Sequence, residues 1–77
     1  MSLHYYNSNA LLLVNAKGLI RVLYTPFRVL CKVDLGNIQK GTWVYVDEVG
    51  SNERDELIYN VYGQLYSYKQ FRLQISF

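Results

Sequence analysis

An all-β fold is what this sequence predicts, and three observations predict it. Apolar and polar residues alternate with a period of two through Phe27–Asp34 and Phe71–Phe77. β-branched and aromatic residues concentrate in short runs, Thr42–Val49, Glu56–Tyr62 and Gln64–Tyr68. Gly and Asn stand between those runs, where tight turns favour them. With 77 residues the chain is one domain. At 51% hydrophobic and a net charge of +2 it is too apolar and too weakly charged to remain disordered.

Taken in order, Ala10–Val14 and Leu19–Tyr24 are predicted to form a hairpin. Asn15-Ala16-Lys17-Gly18 puts Asn at the first turn position and Gly at the fourth, which suits a type I turn closed by a left-handed Gly. A helix over residues 8–17, capped by Ser8 or Asn9, is the alternative reading. Leu11–Val14 and Leu19–Leu23 are apolar at nearly every position, so the hairpin requires cover on both faces, from the rest of the chain or from a second copy. Thr25-Pro26 interrupts strand pairing and is the one seam, dividing an N-terminal hairpin extension (1–25) from the remainder (26–77).

In that remainder Phe27, Val29, Cys31 and Val33 share one face of a strand, and Arg28, Leu30, Lys32 and Asp34 the other. A loop follows over Leu35–Gly41. On the strand Thr42–Val49, Val44 and Val46 share the core face, which turns Trp43 and Tyr45 outward. Gly50–Asp55 is a solvated connection. Glu56–Tyr62 and Gln64–Tyr68 are two strands joined by a tight turn at Gly63. In the last strand Phe71, Leu73, Ile75 and Phe77 alternate with Arg72, Gln74 and Ser76.

Five short strands in about 50 residues, with two stretches in particular, carry a resemblance. Lys40-Gly41-Thr42-Trp43-Val44-Tyr45-Val46 resembles the Lys-Gly-Asp turn and second strand of SH3-type domains, with Thr42 in place of Asp. Tyr66-Ser67-Tyr68-Lys69-Gln70-Phe71-Arg72-Leu73 resembles the stretch in which their fourth strand passes through a one-turn 3₁₀ bend into the last strand. The resemblance implies a five-stranded SH3-like barrel. It departs from eukaryotic SH3 domains in its short first loop, in Ile58-Tyr59 where a paired Trp would stand, and in lacking the Pro before the bend. Proline-peptide binding is therefore not carried over, and the pattern is similar to short bacterial SH3-like, KOW-like and Tudor-like barrels.

Composition argues against most enzymes. Closed zinc sites draw on more His and Cys than the one of each present, and no metal or other cofactor is expected. Cys31 is the single thiol; its face points into the core, where a thiol is shielded and inert, and no pattern brings His4 to it. Asp47, Glu48, Glu53, Asp55 and Glu56 lack calcium-loop spacing and read as a solvated end that discourages edge pairing. No run approaches the roughly 20 apolar residues of a membrane helix. A free Cys and no signal segment point to the cytoplasm.

What remains is recognition. Trp43 and Tyr45 share a face, Tyr66 and Tyr68 share a face of the neighbouring hairpin, and the four are expected to form one aromatic binding surface with Trp43 as its anchor. The expected function is a small non-enzymatic module that binds a protein partner or itself, most simply as a homodimer. The alternative is a binder of single-stranded nucleic acid or RNA, with Lys32, Lys69 and Arg72 as basic contacts. Charge is segregated in support of association: Lys17, Arg21, Arg28 and Lys32 precede any acid, and all six acids fall between Asp34 and Glu56.

Overall fold

The short alternating runs fold as strands and the Gly-bearing segments between them as turns. The computed structural model describes residues 2–75. Among them the strands are β1 (Ser2–Asn7), β2 (Ala10–Val14), β3 (Ile20–Tyr24), β4 (Phe27–Cys31), β5 (Trp43–Val46), β6 (Glu48–Ser51), β7 (Leu57–Val61), β8 (Gln64–Ser67) and β9 (Phe71–Arg72), with one 3₁₀ turn at Tyr68–Gln70. They make three antiparallel sheets of three strands, ordered β1-β2-β3, β5-β4-β9 and β6-β7-β8. The fold is all-β, but none of the three small sheets closes on itself, in contrast to the single five-stranded barrel expected.

The N-terminal turn forms through the chemistry its sequence offers. Gly18 has φ +81°, its N–H donates to the Asn15 carbonyl at 3.0 Å, and the Asn15 side-chain oxygen accepts from the N–H groups of Lys17 and Leu19. It pairs β2 with β3 in the register Ala10↔Tyr24 to Val14↔Ile20, so residues 10–14 are strand and the helix alternative is excluded. The hairpin is one strand short of the actual element. β1 adds to β2 through the turn at Ser8-Asn9, where Asn9 N–H donates to the Asn7 side chain at 2.8 Å. Leu11 joins the main core, with Leu3 and Leu23 packed against it, and Val49 N–H donates to the Ser8 carbonyl at 2.9 Å, tying this sheet to β6.

In the second sheet Phe27, Val29 and Cys31 are buried on β4, and Val44 and Val46 on β5, as their alternation predicts. Val33 is exposed instead. The strand ends at Cys31; Lys32 N–H donates to the Gln70 carbonyl, and the chain leaves the sheet for a loop whose Ile38 is buried in its place. The run predicted over Thr42–Val49 breaks at Asp47, whose N–H donates to the Asn60 carbonyl, so the chain passes directly from the second sheet into the third. The turn between β7 and β8 places both Tyr62 (φ +54°) and Gly63 (φ +77°) in the left-handed region, as a type I′ hairpin requires. The 3₁₀ bend that the resemblance implies is present, capped by Ser67, whose hydroxyl accepts from Lys69 N–H. β9 is shorter than predicted. Beyond Arg72 the alternation survives only as burial, with Leu73 and Ile75 half-buried around exposed Gln74; Ser76 and Phe77 lie outside the described residues.

The second and third sheets face each other over Val29, Val44, Val46, Leu57 and Val61. Burying each such aliphatic side chain contributes about 1.5–3 kcal/mol. Tyr59 stands between the sheets, edge-on to Phe27 at 5.6 Å and tilted on Phe71 at 6.0 Å.

Candidate functional site

Strand parity builds the outer face of the second sheet. Once Phe27, Val29, Val44 and Val46 point inward, Arg28 and Leu30 on β4 and Trp43 and Tyr45 on β5 must point out. The register sets Arg28 opposite Tyr45 and Leu30 between Trp43 and Arg72. The Arg28 guanidinium lies diagonally over the Trp43 ring, 4.4 Å from its centroid, a cation–π contact that restrains the indole. Trp43 is 38% exposed and Tyr45 54%. The strip thus presents two rings, an aliphatic side chain and two guanidinium groups, and its own members carry no carboxylate.

Tyr66 and Tyr68 do not join it. Tyr66 pairs with Tyr59, and directly opposed residues share a sheet face. Since Tyr59 is buried, Tyr66 turns toward the core as well, edge-on to Phe71 at 5.8 Å. Its hydroxyl donates to Gln64 Oε1 at 2.7 Å, and Asn37 Nδ2 donates to the same oxygen at 3.2 Å, which fastens the 32–42 loop to β8. Tyr68 opens the 3₁₀ turn and is half-buried against the same core. The expected four-ring surface is therefore two pairs with different roles, one outward and one supporting the core. The signal was in the sequence: a two-residue turn at 62–63 sets 61 opposite 64 and hence 59 opposite 66.

The three basic residues, by contrast, come together. Lys32 after β4, Lys69 in the 3₁₀ turn and Arg72 on β9 line one cavity of about 320 Å³ with Tyr68. Arg72 belongs both to this rim and to the outer strip. Arg28, which completes that strip, was not singled out as functional in the sequence, although its parity with Trp43 and Tyr45 follows from the same alternation.

Cys31 is buried and its thiol donates to the Val33 carbonyl at 2.9 Å, while His4 is exposed on β1. Among the acids, Glu56 accepts from Asn52 Nδ2 at 3.1 Å and pairs with Lys69 Nζ at 3.6 Å. The Asn52 hydrogen bond, with Lys69 beside it, holds the Glu56 carboxyl below its ordinary value. Among the described residues no three His, Cys, Asp or Glu side chains converge as a metal site would require, and no helix is long and apolar enough to cross a membrane.

The N-terminal sheet turns its Leu11 and Leu23 face to the core, and Ala10 is buried on the opposite face against Tyr24. Leu12, Val14 and Val22 are half-buried on that opposite face, beside Ile20 at 64% and Tyr24 at 69% exposure. Comparison of the chain with protein families, with curated proteins and with solved structures returned no match.

Proposed function

We propose that this chain is a small non-enzymatic interaction module, SH3-like in plan, that grips an acidic segment of a protein partner through the Trp43/Tyr45 face. The order of strands, loops and 3₁₀ turn from Phe27 onward supports the SH3-like plan. The observation that carries the function is Arg28 stacked on an exposed Trp43, with Tyr45 and Arg72 beside it. A pre-positioned indole loses little side-chain freedom on binding, and guanidinium groups at its rim favour carboxylates. Trp43 is the only Trp in the chain, so its fluorescence reports occupancy of the face directly. Titration with polyglutamate is expected to change that fluorescence saturably, and Arg28→Ala to weaken the response. Trp43→Ala, followed by calorimetry, is expected to lower affinity at least about tenfold, as interface anchors do. Unchanged binding by a folded Trp43→Ala protein rejects the reading.

Interleaving of Arg28 and Arg72 with Trp43 and Tyr45 also favours a second reading, in which bases stack on the rings and the guanidinium groups follow the phosphates. An oligothymidylate that binds more tightly than polyglutamate, with affinity falling steeply as salt rises, selects it.

Self-association is assigned to a different surface. β3 is an edge strand, and the face carrying Ile20, Val22 and Tyr24 lacks any Lys, Arg, Asp or Glu. A second copy is the occupant proposed, because antiparallel β3–β3 pairing across a two-fold axis makes that edge complementary to itself.

A further inference from the structure

We propose that the cavity framed by Lys32, Tyr68, Lys69 and Arg72 is a binding site for a small amphipathic anion, an apolar body carrying one carboxylate or phosphate. The inference shares Arg72 with the Trp43 reading but rests on a separate cavity, which Trp43 and Tyr45 do not line.

The cavity has a two-part character. Its floor is apolar: Tyr59 and Phe71 are buried side chains of the core, and Leu73 is half-buried beside them. Its rim is cationic: Lys32, Lys69 and Arg72 reach it from three separate segments, the end of β4, the 3₁₀ turn and β9. Among the described residues no Asp or Glu lines it. Tyr68 supplies an aromatic wall against which a ring or an acyl chain packs. The position of the rim is fixed by the main chain, since Lys32 N–H donates to the Gln70 carbonyl and Cys31 pairs with Phe71.

Its neighbour shows by contrast why the ligand is an anion. A larger cavity of about 520 Å³ lies on the other side of Tyr68 and Lys69, but Asp55 and Glu56 line it. Glu56 draws on Lys69 from that side at 3.6 Å. Among the described residues Lys32 and Arg72 have no such ion pair, so two cations of the smaller cavity stay available to a ligand. A guanidinium takes a carboxylate or phosphate in the bidentate mode that an ammonium lacks, which gives Arg72 the leading contact and Lys32 a supporting charge. A volume of about 320 Å³ lies at the lower end of the range for ligand pockets, and suits a body of octanoate or phenyl size.

The test is an amide chemical-shift titration of the ¹⁵N-labelled chain with octanoate and with phenyl phosphate, against octanamide and inorganic phosphate as controls. Saturable shifts at Lys32, Tyr68, Lys69 and Arg72 with either anion are expected, and the tighter of the two distinguishes an acyl carboxylate from an aryl phosphate. Neither control should saturate at the same concentrations. Lys32→Gln combined with Arg72→Gln is expected to weaken binding at least about tenfold, since two charge-assisted contacts are lost; both side chains are exposed, and the same spectra report that the fold is retained. Lys32→Gln alone should show a smaller loss, and Trp43→Ala none. Octanamide binding as tightly as octanoate, equal affinity in the double variant, or no saturable shift with either anion overturns the proposal.

Discussion

Tyr62 is the residue whose local conformation fits it least. It sits at φ +54° ahead of Gly63, and a side chain with a Cβ adopts that region at a cost of about 1–2 kcal/mol. It is 65% exposed, so little packing offsets the cost. Asn adopts the left-handed region more readily and makes Asn-Gly, the preferred type I′ pair. Tyr62→Asn is therefore expected to stabilise the protein by about 1 kcal/mol, raising the thermal midpoint by roughly 4–8 °C. A lower midpoint would mean that the Tyr62 ring contributes more than its backbone costs. Gly63 as a turn was legible in the sequence, because Gly is the residue that tight turns select. The left-handed Tyr beside it was not, because Tyr carries no turn preference.

Individual elements were legible where side-chain pattern and turn chemistry agreed. The 10–24 hairpin followed from Asn15 and Gly18, and the faces of β4 and β5 from strict alternation. β1 was not legible. Ser2–Asn7 has neither alternation nor a buried residue, and it is strand because β2, apolar on both faces, takes a partner on each side. The site divided along the same line. Trp43 and Tyr45 were placed by their own strand, whereas Tyr66 and Tyr68 depended on how one hairpin folds over another sheet. The β3 edge can be tested for self-association. At 0.1 mM protein, sedimentation is expected to give twice the 9.0 kDa chain mass, and Ile20→Lys, which sets a charge on the apolar edge, to return it to one. A wild-type mass of one chain removes the β3 interface.

Across the whole molecule, Tyr59 is where the second and third sheets meet, through Phe27 and Phe71. Its burial pushes the hydroxyl well above its ordinary value of 10.0. In the unfolded chain that hydroxyl ionises near its ordinary value while the folded form keeps its proton. Stability linked to Tyr59 is thus complete below about pH 10 and declines as pH rises past it, by at most about 1.4 kcal/mol per pH unit. Urea unfolding at pH 9 and pH 11 should show a loss of stability that Tyr59→Phe reduces. An equal loss in the variant would assign alkaline sensitivity to other groups. Ionisation at this position cannot be relieved by one sheet alone, because the ring is shared by both layers.

The break at Asp47 carries a consequence of counting. Val44 and Val46 face inward, and so does Val49, three residues further on rather than two. Without residue 47 the order in–out would run unbroken from Trp43 to Val49, and a single straight strand would satisfy every side chain. The extra residue lets the run bend and carry its second half onto the facing layer, as inserted residues in strands do. Deleting Asp47 would leave all of the apolar residues in phase and remove the fold's reason to curve. Lengthening the chain there by one more residue would restore the same phase, with the inserted residue inward and Glu48 and Val49 on the faces they already hold. Closure of the core around Tyr59 thus depends on chain length at one position, independently of which side chain occupies it.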